Sequence, residues 1–292
     1  MLFGRRERRD AEAISVVPFA RHERRAVQQL ISRADYVHTH LDWFETDQWL
    51  QNPPPLTWIA YHGTRAIGFL GLGLPLEGAA WVRLAVVDHH YAPEDVLGRL
   101  WQRAESALAA HGINRVAILV INNWVTRYFE QCGFHKHDEV ITMRRATREM
   151  PDPAAYDFHV RSLLPNELTD IIAVDQAAFA APWQMSAEEI RQAERMAASV
   201  TVAMANGQIA GYQLSTLYFD GAHLARLAVL PIYQGHGVGK ALLHDLISRF
   251  AQRGVYTFTV NTQVTNVQSQ RLYNHFAFRR NGYDLPVYVH DI

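Results

Sequence analysis

A run of glycines in the second half of the chain has the spacing of a phosphate-binding loop. Gly235, Gly237 and Gly239 follow an apolar stretch that ends at Pro231, and an amphipathic pattern begins after them. Glycines let the backbone approach a ligand closely, and the free N–H groups of a helix N-terminus favour an anion such as a pyrophosphate. The run therefore predicts a strand, a loop that binds phosphate, and a helix.

The two commonest phosphate loops do not fit this run. A dinucleotide-binding loop starting at Gly235 would need glycine at Lys240, and a P-loop ending at Lys240 would need glycine at Gln234. The run instead resembles the acetyl-CoA loop of the GCN5-related N-acetyltransferase (GNAT) family, V-x-P-x-x-Q/R-x-x-G-x-G/A. A tight turn without a ligand is the alternative, but such a turn needs only one glycine. The resemblance implies that acetyl-CoA, the acyl donor, binds to Gln234, Gly235, His236, Gly237, Val238, Gly239 and Lys240.

A second motif of the same family follows the loop. Asn266, Ser269, Tyr273 and Phe278 match the family pattern N-x-x-A/S-x-x-x-Y-x-x-x-G-F, with Ala277 in place of its glycine. The resemblance implies that Asn266 and Ser269 lie near the pantetheine arm and that Tyr273 lies beside the CoA sulfur. Tyr273 is therefore the candidate general acid that protonates the departing thiolate.

The strand before the loop supplies the remaining candidates. In the family, backbone N–H groups of this strand bind the acyl carbonyl and the pantetheine, which here implies Leu227 and Val229. Strand alternation predicts that His223 and Ala225 share a face with these two residues. A histidine pKa of about 6.5 would suit a general base at neutral pH. A packed strand histidine without a chemical role is the alternative for His223.

The chain contains two copies of one unit. Three landmarks recur in the same order with offsets of 143 to 144 residues, which favours duplication over chance. Each copy reads as an α+β fold, a mixed and mostly antiparallel sheet flanked by helices. The resemblance implies a GNAT-like fold for each. The landmarks are the Leu-Ala-Val stretches at 84–86 and 227–229, the hairpins at 58–68 and 201–211, and the Asn and aromatic pairs at 122–129 and 266–273.

We therefore predict two tandem domains, over residues 1–147 and 156–292, joined by a linker at 146–155 that contains two prolines. A length of 292 residues suits two domains. In the second domain, hydrophobic periodicity predicts strands at 158–161, 200–205, 209–218, 222–229, 256–261 and 278–289, and helices after Pro165, from Ser186, at 239–253 and at 267–275.

The first copy lacks the residues that carry the resemblance in the second. Its loop position, residues 87–95, contains no glycine and carries Glu94 and Asp95, which would repel an anion. Phe129 stands where the second copy has Tyr273. We predict that the first copy resembles the family only in its fold and supports the substrate site as a degenerate domain. The chain would then be a monomer with pseudo-dimeric domains.

Composition excludes several classes of protein. The net charge of -1 and the 49% hydrophobic content indicate neither nucleic acid nor membrane as a partner. The Arg5–Arg9 cluster reads as a solvated tail, and no apolar run follows it. A single cysteine, Cys132, fits a reducing compartment, and we expect a cytoplasmic protein. No metal site is predicted, because the histidine pairs at 38/40, 89/90 and 135/137 lack a further ligand at zinc-site spacing.

The acceptor of the acetyl group is a small-molecule amine or a peptide N-terminus. Residues 179–183 and 279–283 resemble the ribosomal-protein alanine N-acetyltransferases of this family, which implies a peptide N-terminus. Those relatives usually have a glutamate where this chain has Asn261, so a thiol-sugar amine or an aminoglycoside-like polyamine remains open. A non-catalytic acyl-CoA sensor or scaffold is the alternative from another class. Binding alone, however, does not require a phenol at Tyr273.

Overall fold

The computed structural model describes residues 14–151 and 158–292 of the chain. Within these residues the backbone separates into two units. Unit 1 comprises the residues up to His137 together with Pro286–Ile292, and unit 2 comprises Asp138–Leu285. The Arg5–Arg9 cluster and part of the predicted linker lie outside the described residues.

Unit 1 is built around the helix α3. Pro93 at its first turn and the acidic Glu94 and Asp95 favour a helix start, and Gly112, at φ 67°, ends the turn that follows it. Leu100 and Trp101 of α3 are buried in the core. The elements are β1 (Ile14–Pro18), α1 (Arg24–Arg33), β2 (Tyr36–Thr39), α2 (Thr46–Trp49), β3 (Thr57–His62), β4 (Arg65–Leu72), β5 (Ala79–Val87), α3 (Pro93–Leu108), β6 (Arg115–Leu119) and α4 (Asn123–Gln131).

Unit 2 repeats this order of elements, except that, among the described residues, no strand corresponding to β2 lies between its first two helices. Ser186 caps α6 and exchanges hydrogen bonds with Glu189, as a capping box does. Asn206 and Gly207 both have positive φ, at 50° and 78°, in the two-residue turn that an Asn-Gly hairpin requires. The elements are β7 (His135–Ala146, which begins in unit 1), β8 (His159–Ser162), α5 (Leu168–Ala178), α6 (Ala187–Met196), β9 (Ser199–Ala205), β10 (Gln208–Tyr218), β11 (Gly221–Val229), α7 (Val238–Ala251), β12 (Thr257–Gln263), α8 (Val267–His275) and β13 (Arg279–Asp291).

Each unit has a mixed sheet, in agreement with the predicted α+β class. In unit 2 the strand order is β8-β9-β10-β11-β12-β7, and the neighbours are antiparallel except for β11 and β12. In unit 1 the order is β1-β3-β4-β5-β6, with β5 and β6 parallel and with β2 also paired to β5. The end of β13, Val287–Asp291, then pairs with β6.

The closing strands are exchanged between the copies. Most of β7, the last strand of the first copy, pairs with β12 of unit 2, whereas the end of β13 completes the sheet of unit 1. The units therefore differ from the predicted ranges 1–147 and 156–292 at these two strands. The sequence offset cannot reveal this, because the two copies present equivalent sheet edges to the same kind of closing strand.

Candidate active site

The pairing of β11 with β12 leaves a slot in the sheet of unit 2. Ala222–Leu224 pair with Phe258–Val260, and the described ladder between the two strands ends there. Beyond Leu224, β11 continues to Val229 while remaining paired with β10 on its other side. One edge of β11 therefore faces an opening between the two strands.

The N–H groups of Leu227 and Val229 point into this slot. The N–H of Leu230 donates to the carbonyl of Ala210 on the β10 side. Because backbone groups of successive strand residues point to opposite edges, the N–H groups of Leu227 and Val229 point away from β10. Two donors two residues apart suit a carbonyl and an amide of an extended ligand.

The glycine loop begins where the slot ends. Gly235 and Gly237 have φ of 79° and 99°, in the left-handed region that glycine favours, and Gly237 is the N-cap of α7. The side chain of Gln234 donates to the carbonyl of Val229, which ties the loop to the strand. The residues from Gln234 to His236 are exposed. The first N–H groups of α7 have no carbonyl within the helix and are available to an anion.

Gly239 is needed for packing as well as for access. A Cβ at this position would lie 3.1 Å from Cδ2 of Leu272 and 4.0 Å from carbons of Leu227 and Val229. The first turn of α7, the helix α8 and the end of β11 therefore converge at Gly239. The sequence predicted three separate motifs, and the fold brings them together here.

Asn266 has a structural role that the sequence did not predict. It is the N-cap of α8, and its Oδ1 accepts the N–H of Ser269 at 3.0 Å. The Asn-x-x-Ser spacing thus satisfies one free donor of the helix start. The Nδ2 of Asn266 is not used in this cap. Contact of Asn266 and Ser269 with pantetheine stays a prediction.

Tyr273 is buried on α8, with 4% of its surface exposed. Its ring packs against that of Phe278, with centroids 5.8 Å apart. Burial raises the pKa of the Tyr273 phenol, and the nearby charge of Arg226 offsets only part of that rise. The phenol therefore stays protonated at neutral pH, which is the state that a proton donor needs.

His223 does not share a face with Leu227 and Val229, and our prediction of one shared face was wrong. Leu214 pairs with Arg226 and Ser215 pairs with Leu224, so Ala225 is an extra residue in β11. A bulge of one residue reverses the alternation beyond it. His223 thus lies on the face of Arg226. Its Nδ1 is 2.8 Å from Oγ1 of Thr259, and burial lowers its pKa, so the imidazole is neutral and able to accept a proton.

A buried charged network, which the sequence did not predict, lies next to this site. The fully buried carboxylate of Asp175, on α5, accepts two hydrogen bonds from Arg226, at 2.7 and 2.8 Å, and one from the hydroxyl of Tyr212, at 2.6 Å. Arg226 also donates to the carbonyl of Trp183, and its guanidinium carbon lies 3.6 Å from the ring centre of Phe179. The network joins α5 and the segment after it to the strand that carries Leu227.

One signal in the sequence pointed to Asp175. It follows Ile171 and Val174 in the apolar stripe of α5, where a charged residue requires a partner. The partner, Arg226, is 51 residues away. No local pattern could identify it.

The comparison with known proteins decides the family. The model of the acetyltransferase (GNAT) family matches residues 24–134 and 168–278, which together are more than half of the chain. The chain belongs to the acetyltransferase (GNAT) family. It is an N-acetyltransferase with two GNAT domains in tandem. The expectation that the first copy resembles the family only in its fold was wrong, because the family model matches both copies.

Curated relatives of this GNAT chain include bacterial enzymes of one name. A ribosomal protein bS18-alanine N-acetyltransferase from Escherichia coli K12 is 32% identical over 129 residues, which are 42% of this chain and 86% of the relative. The protein of that name from Haemophilus influenzae is 32% identical over 118 residues, 39% of this chain and 79% of the relative. That the second half carries this likeness stays a prediction.

Solved structures similar to this GNAT chain support the tandem fold. A tandem GNAT protein from the clavulanic acid biosynthesis pathway superposes with a TM-score of 0.60 at 18% identity, covering 95% of this chain and 98% of that one. A probable N-acyltransferase from Enterococcus faecalis V583 has a TM-score of 0.74 at 11% identity, with coverages of 96% and 72%. At these identities the likeness concerns the fold alone.

Two features of the GNAT chain bear on other partners. No helix among the described residues is both long and apolar enough to cross a membrane. In unit 1, ligand atoms of Asp88, His89 and His90 lie within 4.8 Å of one another, as metal ligands do. The carboxylate of Asp88, however, accepts hydrogen bonds from Arg33 and Arg65, at 2.8 and 2.9 Å. Two guanidinium groups already neutralise the only anionic ligand of the three.

Proposed function

We propose that this enzyme transfers the acetyl group of acetyl-CoA to a primary amine at a single site, in unit 2. Enzymes of the GNAT family use acetyl-CoA as a substrate and act on amines. The observation that carries the assignment to unit 2 is the slot beside β11, which ends at the exposed glycine loop. The slot offers two N–H groups in line, and the loop offers the free N–H groups of α7 to the pyrophosphate.

Each residue has one role in this proposal. The N–H groups of Leu227 and Val229 bind the acyl carbonyl and the pantetheine, and hydrogen bonds to the carbonyl oxygen stabilise the charge that develops on it. Tyr273 donates a proton to the thiolate as the thioester bond breaks. His223 accepts a proton from the attacking amine, directly or through water. Lys240, exposed in the first turn of α7, adds a positive charge near the pyrophosphate.

An α-amine is the acceptor that this site can use most easily. Neutralising a lysine-type amine with a pKa of about 10.4 costs about 4.6 kcal/mol at pH 7, whereas an α-amine with a pKa of about 7.8 costs about 1.1 kcal/mol. A half-buried histidine is a modest base, and the smaller cost suits it. The relatives are named for an alanine of ribosomal protein bS18, and the only amine that an alanine can offer is its α-amine. We therefore propose a peptide N-terminus as acceptor, in the cytoplasm, ahead of a small-molecule amine.

A titration and a panel of acceptors test the proposal. Calorimetry with acetyl-CoA should give one site per chain, and CoA release should be faster with peptides that have a free N-terminus than with the same peptides blocked there but containing lysine. Two equivalent binding sites would contradict the assignment to unit 2. Binding of acetyl-CoA without release of CoA, whichever peptide, thiol-sugar amine or polyamine is offered as the acceptor, would contradict the proposed activity.

A further inference from the structure

In unit 1 the slot that corresponds to the acetyl-CoA slot is filled by the chain itself. The parallel pairing of β5 with β6 covers Ala79–Trp81 and ends there, as in unit 2. Beyond that point the same edge of β5 is not open. The strand β2, Tyr36–Thr39, pairs antiparallel with Leu84–Val87. A short strand from upstream thus lies between β5 and β6.

Two glycines establish which residues of the two slots correspond. Gly68 on β4 pairs with Val87, and Gly211 on β10 pairs with Val229. A Cβ on Gly68 would lie 2.3 Å from Cγ1 of Val96, and a Cβ on Gly211 would lie 3.0 Å from Cγ1 of Val238, each on the next helix. Val87 therefore corresponds to Val229, and Ala85 to Leu227. This alignment of β5 with β11 is one residue away from the offset of 143 that the Leu-Ala-Val stretches indicated.

The corresponding donors of unit 1 face β2. The N–H of Asp88 donates to the carbonyl of Ile67 on the β4 side, and the carbonyl of Arg83 accepts the N–H of His40 on the β2 side. By alternation, the N–H groups of Ala85 and Val87 point towards β2. These are the donors that we assign to the acyl group and pantetheine in unit 2.

The asparagine of unit 1 that corresponds to Asn266 also contacts β2. Asn122, which recurs as Asn266 in the second copy, is the N-cap residue of α4, but its side chain makes no capping hydrogen bond. Its Nδ2 instead donates to the carbonyl of Val37, at 3.3 Å. Next to this contact, the ring of Tyr36 packs edge-on against Trp124 and Tyr128 of α4. The strand β5, the side chain of Asn122 and the helix α4 therefore all contact β2.

We infer that β2 permanently occupies the acyl-CoA slot of unit 1 and closes it to acyl-CoA. The inference rests on the proposed function in one respect, namely that the slot of unit 2 binds acyl-CoA. An extended main chain offers the carbonyl and amide groups that a pantetheine arm would offer. It is tethered by the loop to β3, so its effective concentration is in the millimolar range or above. Acyl-CoA would have to displace β2 together with His38, which is fully buried.

Hydrogen exchange measured by mass spectrometry tests this inference in the full chain. Peptides containing Ala85 and Val87 should exchange slowly without ligand, and saturating acetyl-CoA should leave their exchange unchanged. Peptides containing Leu227 and Val229 should exchange quickly without ligand and at least tenfold more slowly with it. Faster exchange of residues 36–39 on addition of acetyl-CoA would show that β2 is displaced and would overturn the inference.

A disulfide that fixes β2 gives the second test. Val37 and Val86 are directly opposite in a pair without mutual hydrogen bonds, where Cα atoms lie about 4.5 Å apart, within the range that a disulfide bridges. The variant is Val37→Cys with Val86→Cys in a Cys132→Ser background, so that these are its only thiols. Oxidised and reduced forms of the same protein should bind acetyl-CoA with equal affinity and stoichiometry.

Loss of a binding equivalent on oxidation would overturn the inference, since it would mean that acyl-CoA enters unit 1. Failure of the disulfide to form, while urea unfolding shows a folded protein, would contradict the position of β2. Failure of the proposed function gives a different result. In that case Leu227 and Val229 show no protection by acetyl-CoA, while Ala85 and Val87 remain protected as predicted.

Discussion

The two units share a scaffold and differ where a ligand would lie. Val96 of α3 corresponds to Val238 of α7, because each would meet a Cβ on the glycine of the neighbouring strand. α7 begins at Val238, whereas α3 begins three residues earlier, at Pro93. Unit 1 therefore has additional helix where unit 2 has its glycine loop. A change of three residues at a helix start separates unit 1 from the unit that we propose binds acetyl-CoA.

The chemistry of the two helix starts explains this difference. Pro93 lacks an N–H, and Glu94 and Asp95 place negative charge at the positive end of the helix dipole, so the helix start is stabilised from within. Unit 2 leaves its N–H groups free and accepts left-handed glycines at Gly235 and Gly237. A good helix start and an anion site compete for the same donors.

Each unit contains a network around an arginine of its central strand, but the two arginines lie at different positions of that strand. In unit 1, Arg83 forms an ion pair with Asp42 at 2.6 Å and lies over the ring of Trp49. In unit 2, Arg226 does the same with Asp175 and Phe179. With Val87 aligned to Val229, Arg83 corresponds to Ala225, so the two arginines are not equivalent residues. Each network stabilises its own unit, and in unit 2 it also fixes the strand that carries the donors.

The largest expected effect is the loss of turnover when the hydroxyl of Tyr273 on α8 is removed, and α4 of unit 1 provides the control. Tyr273→Phe keeps the ring but removes the proton, so turnover should fall by roughly 10²–10⁴ while acetyl-CoA affinity is unchanged. Because burial raises its pKa, the phenol of Tyr273 should not cause any loss of turnover below about pH 10. Tyr128→Phe, on the corresponding helix of unit 1, is the control and should turn over normally. Normal turnover of Tyr273→Phe, with chemistry rate-limiting, would remove Tyr273 from the mechanism.

A smaller effect is expected in the loop. Gly237→Glu places a side chain on a left-handed residue and a negative charge beside the pyrophosphate, so acetyl-CoA affinity should fall by about 10²–10³. Gly207→Glu is the matched control, because Gly207 also has positive φ, at 78°, with open space around it. Calorimetry should detect acetyl-CoA binding of normal affinity in the control. Normal acetyl-CoA affinity in Gly237→Glu as well as in the control would mean that the loop does not bind the cofactor.

Local patterns in the sequence predicted much of unit 2. The bounds of α8 agree with the predicted 267–275, and β10 and β11 agree to within one residue at each end. The strand alternation and the glycine and asparagine patterns involve residues that are close in the sequence. The structures that they predict are correct where the strand pairing is regular. The bulge at Ala225 is not local, because it exists only in the pairing with Leu214 and Ser215.

The unpredicted features are long-range. Asp175 and Arg226 meet across 51 residues, and the closing strands are exchanged between equivalent edges. The strand β2 lies far upstream of β5, and only the ladder shows that it fills the slot. For each of these, the sequence offers plausible elements but no information on which partner they select.

The ion pairs should differ in their effect on activity. Asp175→Asn leaves the guanidinium of Arg226 buried without its counter-charge, so unfolding in urea should show a loss of about 3 kcal/mol, with lower turnover. Asp42→Asn should cost less, because burial already raises the pKa of Asp42 despite Arg83. Its folded form should turn over normally. Reduced turnover of Asp42→Asn at full folding would contradict the division of roles between the units.

The smallest effect is a pH dependence of the stability of unit 1. Burial lowers the pKa of His38 to about 4, whereas an unfolded histidine titrates at about 6.5. Between these values the unfolded chain binds more protons than the folded chain, so the contribution of His38 is complete above about pH 6.5 and is lost as the pH falls towards 4. In this range each pH unit should cost about 1.4 kcal/mol. Tryptophan fluorescence can follow this loss in unit 1, because every tryptophan except Trp183 lies there. His38→Gln should reduce the slope by about that amount and leave the part due to His40, whose pKa burial lowers to about 3, and the exposed His159→Gln should not change it. An equal slope in the wild type and in His38→Gln would mean that His38 titrates alike in both states, and that β2 is not held in the slot as tightly as we infer.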